Sequence, residues 1–396
     1  MISDKVKNIN PSLTLSISAK AKAMKAKGVD IIGFGAGEPD FYTPENIKEK
    51  AKSAIDRGYT KYTPVSGIDS LKRAIINRTE KDKGLKYNKN QVIVSPGAKY
   101  AISEIILSLI NPGEEVIIPS PYWLSYPEMV KLSGGKPVFI KTLEKDGFKV
   151  TAGSLDRAVS SKTRLVILNS PSNPTGAIYS LKELKEIAAI IEKHNIFCLS
   201  DEIYDKLTYT GNISESIASV SESVKEKTIV VNGVSKTYAM TGWRIGYALG
   251  PEEIISAASR LQSHTTSNPS SISQYAALEA LTGPQNAIQK MKGEFKKRRD
   301  FMVKRINSIS GLSVNMPEGA FYCFVNISSC INRSLGQKTV TGSLSFSEIL
   351  LDEEKTAVVP GAVFGDDNYV RLSYAASLDS IKEGLTRIER FINKLG

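Results

Sequence analysis

Three cysteines in 396 residues, Cys198, Cys323 and Cys330, are an odd set without CxxC spacing, which argues against a disulfide framework or a zinc ribbon. They read as reduced, structural thiols. Long apolar runs are missing as well. Nothing approaches the ~18 residues of a membrane span, and the opening MISDKVKNINPSL lacks the apolar core of a signal peptide. A cytoplasmic protein without membrane contacts is expected. Histidine is scarce, and His194 at a helix end and His264 in SHTTSN read as structural rather than catalytic, with no metal site expected. The glycines of GFGAGEPD do not follow G-x-G-x-x-G, so no dinucleotide loop is expected there.

The composition that remains, 41% hydrophobic and 23% charged, is that of a globular protein, and the length exceeds what one growing core supports. Two or more packed units follow. The net charge of +11 raises the question of a nucleic-acid partner. Its lysines, however, are scattered through helical stretches rather than gathered in one basic run, so solvated faces account for most of them and no nucleic acid is expected.

Short apolar runs at Gln91–Val94, Val116–Ile118, Leu165–Leu168, Ile196–Leu199 and Thr228–Val231 read as buried parallel strands. Between the third and fourth lies SLKELKEIAAIIEKHN. Ser180 and Glu183 form a capping box there, and Leu181, Leu184, Ile187, Ala188 and Ile191 recur at helical spacing, predicting a crossover helix. The order is that of an α/β domain with helices on both sheet faces, in which ligands bind beyond the carboxyl ends of the strands.

Unusual residues follow those ends. After Val94 comes SPGAKY, with Ser95 expected as N-cap, Pro96 at the first helical position, and Gly97 allowing close approach of a phosphate to free N–H groups. After Leu168 comes NSPSNPTG with Asn173; after Leu199, SDEIYD with Asp201 and Tyr204; after Val231, NGVSK with Ser235 and Lys236. A lysine amine forms a Schiff base with an aldehyde cofactor, and pyridoxal phosphate also needs an acidic partner for its ring nitrogen and a phosphate site. Asp201 fits the first need, with Asn173 and Tyr204 near the ring oxygen. Ser235 and Arg244 fit the second, together with the helix start at Gly97 and Ala98.

Eight segments in order, AGEPDF (36–41), KYTP (61–64), SPGAKYA (95–101), SPYWLSYPEM (120–129), NSPSNPTG (169–176), SDEIY (200–204), SKTYAMTGWRIGY (235–247) and VRLSYA (370–375), resemble the fold type I, class I aminotransferases. Across nearly its whole length the pattern closely resembles the bacterial aspartate aminotransferase subgroup. The resemblance implies a large domain over 45–285 with a mostly parallel sheet flanked by helices. It implies a smaller α+β domain from 1–44, with an N-terminal active-site segment, and 286–396. It also implies a homodimer with shared active sites.

Residue by residue, the resemblance makes Lys236 the Schiff-base lysine and mover of the α-proton, and Asp201 the partner of the pyridine nitrogen. Trp123 stacks on the ring and, with Asn173, borders the substrate. Tyr62 reaches the phosphate in the neighbouring subunit. Arg371 grips the α-carboxylate as a two-pronged fork, with the Gly37 backbone beside it. Lys99 lies in the first turn of a helix, where a cation opposes the dipole. In the bacterial subgroup the lysine at this motif position binds the side-chain carboxylate of aspartate or glutamate; in this sequence Ser12 and Thr14 of PSLTLS are expected to close over the same carboxylate, and the alternative is that Lys99 serves the cofactor phosphate alone. The implied reaction moves the amino group of L-aspartate to 2-oxoglutarate in two stages. Prephenate, alanine or aromatic amino acids are the alternative substrates, and a regulatory protein with this fold but no enzymatic activity is a distant one. The stretch 326–355 fades from the pattern; its Ser-, Thr- and Gly-rich first half predicts a flexible surface excursion before a short amphipathic helix.

Overall fold

The computed structural model describes residues 2–7, 9, 13–211 and 214–396. Its centre is a seven-stranded sheet. The strands are β1 (Val92–Ser95), β2 (Glu115–Ser120), β3 (Lys136–Lys141), β4 (Thr163–Asn169), β5 (Phe197–Asp201), β6 (Thr228–Gly233) and β7 (Gly246–Leu249). They lie in the order β1-β7-β6-β5-β4-β2-β3, and all are parallel except β7.

Alternate residues of each inner strand feed two cores, which is why these strands read as continuous apolar runs. Leu165 and Ile167 pack toward the helices Ala98–Leu109 and Glu252–Thr265. Val166 and Leu168 pack toward Leu184, Ile187, Ala188 and Ile191 of the helix Leu181–His194. The predicted capping box of that crossover helix is present, the Ser180 side chain accepting from the Glu183 amide. Leu181, expected on the buried face, is instead 41% exposed. It occupies the first helical position, before the helix settles onto the sheet.

A second sheet holds β8 (Tyr322–Asn326), β9 (Val359–Pro360) and β10 (Tyr369–Ser373) in the antiparallel order β9-β10-β8. Phe295 and Met302 of the helix Asn286–Ile306, Phe346 of Ser343–Glu354 and Phe391 of Leu378–Lys394 share a core with it. The predicted flexible excursion is ordered: Ser334–Leu335 and Lys338–Thr339 form a small hairpin, and Ser334 and Gly396 exchange two backbone hydrogen bonds of 3.0 and 2.9 Å. Buried Cys330 and Val340 anchor the segment. The helix that follows buries Ser343, Phe346, Ser347, Ile349, Leu350, Leu351 and Glu354, more than the one face an amphipathic helix would cover. All three cysteines are free and buried, and burial raises each thiol. Among the described residues no helix is long and apolar enough to cross a membrane.

Candidate active site

Register brings the chemistry to one edge of the large sheet. Asn169 pairs with Asp201 and Asp201 with Val231, so β4, β5 and β6 end at one level. The antiparallel β7 starts there too, with Gly246 opposite both Ser95 and Gly233. That reversal is why Arg244, which precedes a strand, joins residues that follow strands.

At β1 the structure corrects the expected cap. Ser95 is the last strand residue and donates its hydroxyl to Glu104; the helix begins at Ala98, with Gly97 as N-cap and no side chain capping it. Gly97 has φ of 91°, a left-handed conformation that other residues adopt at a cost, and a Cβ there would push the Arg244 guanidinium, 2.3 Å away, aside from the helix start. Arg244 itself sits at φ 55°, donating to Thr241 O at 2.8 Å and Pro96 O at 3.4 Å. Buried Ser235 stands at the end of β6.

The carboxyl of Asp201 is buried and accepts from the Tyr126 hydroxyl at 2.6 Å and the Ile203 amide at 3.2 Å. Burial pushes it up to about 6, against the pull of those two donors. Lys236 Nζ donates to Gly37 O at 2.5 Å. Burial brings this amine down to about 8, opposed by Glu38 and reinforced by Arg371 and Arg244. Tyr204 meets Tyr322 hydroxyl to hydroxyl at 3.0 Å.

Arg371 is fully enclosed on β10. Its Nη1 donates to Asn173 Oδ1 at 2.9 Å and its Nη2 to Gly35 O at 3.2 Å, while its Cζ lies 4.3 Å from the Tyr322 ring centre. Its buried Nε has no partner among the described residues. Lys99 Nζ lies 5.0 Å from the Trp123 ring centre, and burial followed by Arg244 lowers its amine. Asp201, Lys236, Tyr204, Tyr322, Arg371, Asn173, Lys99, Trp123, Ser235 and Arg244 line one open cavity of about 550 Å³.

The structure thus brings together Gly37, Ala98, Lys99, Trp123, Asn173, Asp201, Tyr204, Ser235, Lys236, Arg244 and Arg371. Gly97 packs directly against Arg244. Tyr62 is 90% exposed on the single chain and does not line this cavity. Ser12 lies outside the described residues, and of Thr14 only its place in the helix Leu13–Ala26 is described. His194 pairs with Asp156 at 2.6 Å and His264 ends a surface helix, both away from the cavity. The residues missed in the sequence are supporting ones: Tyr126 on Asp201, Asn169 accepting from the Asn173 amide at 2.8 Å, and Tyr322 under Arg371. Tyr126 and Asn169 lie inside quoted motifs, three residues after Trp123 and four before Asn173.

These groups fit pyridoxal phosphate. An uncapped helix start, Ser235 and Arg244 suit a phosphate, and a buried acid and a lowered amine stand beyond them.

The chain belongs to the aminotransferase class I and II family, whose model matches residues 29–388. It is a pyridoxal-phosphate-dependent transferase of the fold type I architecture. It is 49% identical over 393 residues to an aspartate aminotransferase of Bacillus sp. (strain YM-2), covering 99% of each chain. It is 45% identical to an aspartate/prephenate aminotransferase of Cereibacter sphaeroides, covering 98% of each. The solved aspartate aminotransferase from Rhizobium meliloti superposes with a TM-score of 0.97 at 42% identity, covering 100% of both chains.

Proposed function

We propose that this aminotransferase moves the amino group of L-aspartate to 2-oxoglutarate, the activity named for its Bacillus and Rhizobium relatives. The observation that carries the reading is a charge imbalance. Lys99, Arg244 and Arg371 border one cavity, and among the described residues none is paired with a carboxylate. Arg371 is buried, and a buried cation without a counterion is costly, so an anionic ligand is its natural partner; the exposed Lys99 and Arg244 add positive charge that favours anions around the same cavity. A phosphorylated cofactor and a dicarboxylic amino acid together bring three anionic groups.

In this reading Arg244, Ser235 and the amides after Gly97 hold the phosphate, and Asp201 keeps the ring nitrogen protonated. Asn173 and Tyr204 face the ring oxygen, and Trp123 covers the ring. Pyridoxal phosphate held there supplies an aldehyde carbon for amine attachment and a ring that takes up electron density from the substrate α-carbon. Arg371 orients the α-carboxylate beside the Gly37 backbone, and Lys99 takes the side-chain carboxylate. Lys236, whose neutral form is accessible near its value of about 8, carries the α-proton.

Two chains complete the proposal: a cytoplasmic homodimer in which exposed Tyr62 serves the neighbouring phosphate. So does the division into a large unit, 45–285, and a small one from 1–44 and 286–396. The seven-stranded sheet falls within the first and the three-stranded sheet within the second. The name of the Cereibacter relative favours prephenate as a second substrate, since its two carboxylates match the same two cations.

The test is the visible spectrum of the purified protein before and after L-aspartate, with no 2-oxo acid present. A shift of the cofactor band with release of one oxaloacetate per site supports the reading. A band that ignores aspartate and responds to a neutral or aromatic amino acid would sink it.

A further inference from the structure

The irregular segment 35–43 borders the cavity at Gly35 and Gly37 and holds two of its cations through carbonyls: Gly35 O accepts from Arg371 at 3.2 Å and Gly37 O from Lys236 at 2.5 Å. It is stitched to the loop that carries Lys236. The Thr241 hydroxyl donates to Glu38 Oε2 at 2.6 Å, the Thr43 hydroxyl to Ala239 O at 2.7 Å, and Trp243 Nε1 to Thr43 Oγ1 at 3.0 Å. Arg298 fixes the far side, donating to both oxygens of Asp40 at 2.8 and 2.9 Å. Of these contacts, only Glu38 brings a carboxylate to the cavity loop. It lies between Gly37, which touches the amine, and a stitch to Thr241, which lines the cavity.

We propose that Glu38 is a positioning residue, which through Thr241 clamps the segment so that the Gly37 carbonyl holds the Lys236 amine. The inference rests on the assignment of Lys236 made above and deepens it. The charged groups acting on Lys236 are Glu38 and Asp201, which favour the ammonium, and Arg371 and Arg244, which oppose it. The two arginines are fixed by their own hydrogen bonds and Asp201 is buried behind Tyr126. Exposed Glu38 is therefore the member of the set that a change of the segment's position can add or remove. Anions that reach Arg371 or displace the Gly37 carbonyl would loosen the clamp and release an amine that is neutral, and so able to attack or take a proton, at lower pH.

The test compares wild type, Glu38→Gln and Thr241→Val as full-length protein freed of cofactor. Amines are labelled in competition from neutral to alkaline pH, and each lysine peptide is followed by mass spectrometry. Glu38→Gln should move the Lys236 titration downward by about half a unit, so that its labelling at neutral pH rises about threefold. Thr241→Val should move it the same way by less, and lysines remote from the segment should be unchanged. A Lys236 curve that does not move in Glu38→Gln overturns the proposal. So does an equal rise at remote lysines, which would mean general loosening. In the same preparations, borohydride reduction after adding pyridoxal phosphate tests the assignment itself. Label on another lysine would remove Lys236 from its role while leaving the effect of Glu38 on its titration readable.

Discussion

On one side of the β5 end, Lys99, Arg244 and Arg371 surround an open cavity with no carboxylate paired to any of them among the described residues. On the other side, beginning one residue after Asp201, a cluster of charges is paired within the fold. Lys83 Nζ lies 3.3 Å from Glu202 Oε2 and 4.0 Å from Asp205 Oδ2, and the side chains of Lys83 and Glu202 are 6% and 2% exposed. Glu202 Oε1 further accepts from Ser200 at 2.9 Å and Ser216 at 2.5 Å. Asp82 binds Arg78 at 2.7 Å and Lys206 at 2.5 Å. A charge taken from water, as in Lys83, Glu202 and Arg371, needs a compensating charge or full hydrogen bonding, whereas Lys99 and Arg244 stay exposed at the cavity. Behind the sheet the fold supplies the compensation. In front of it the counterions are left to ligands, and that is what separates a structural charge cluster from a binding one.

The comparison breaks most visibly at Lys236. Lys236→Ala should leave the fold intact and remove turnover, since proton transfer alone is worth about 10²–10⁴ in rate. Single-turnover rates with L-aspartate measure it, and near-normal rates would put the chemistry elsewhere. The matching change behind the sheet is Lys83→Met. Glu202 then loses its buried cation, and breaking such a pair by removing one partner costs about 3–5 kcal/mol. The loss should appear in the urea midpoint, with KM for aspartate little changed. Unchanged stability with weakened substrate binding would show that the two regions are not separate in function.

What could be read in advance follows the same division. Motif residues that face a ligand were legible because their chemistry is carried by residue type and strand-end position: Lys236, Asp201, Asn173 and Arg371 all reach the cavity. Partners set by long-range packing were not. Tyr322 reaches Tyr204 across 118 positions and Lys83 reaches Glu202 only through the folded sheet. Strand β7 was hidden because GYAL has only four residues and begins inside a longer motif, and β3 because KPVFIK is an edge strand with partly exposed faces. The Ser95 cap failed for a local reason. The chain stays extended one residue longer, pairing Ser95 with Gly246, and its hydroxyl turns inward to Glu104.

Lys99 sharpens the comparison on the cavity side. Lys99→Ala should weaken aspartate by about 1.5–3 kcal/mol, the worth of a hydrogen bond to a charged group, while alanine and other monocarboxylic substrates hold their kcat/KM. Equal losses for both classes would assign Lys99 to the cofactor phosphate alone.

Glu104 tests the rule where neither region satisfies it. It is fully buried in the helix Ala98–Leu109, bonded only to Ser95, and its Oε2 lacks a partner among the described residues. With no cation to meet it, burial pushes the carboxyl up from 4.5 to about 8. The folded protein therefore keeps a proton that the unfolded chain releases in the mid-4s, and the folded form loses ground as pH rises through this window. The slope is at most about 1.4 kcal/mol per pH unit. Glu104→Gln, neutral at every pH, should flatten that part of the stability profile and make the variant the more stable of the two at pH 8. Parallel profiles would mean that Glu104 is ionised in the folded protein, and that an unpaired buried charge is tolerated about two helical turns beyond the phosphate cradle.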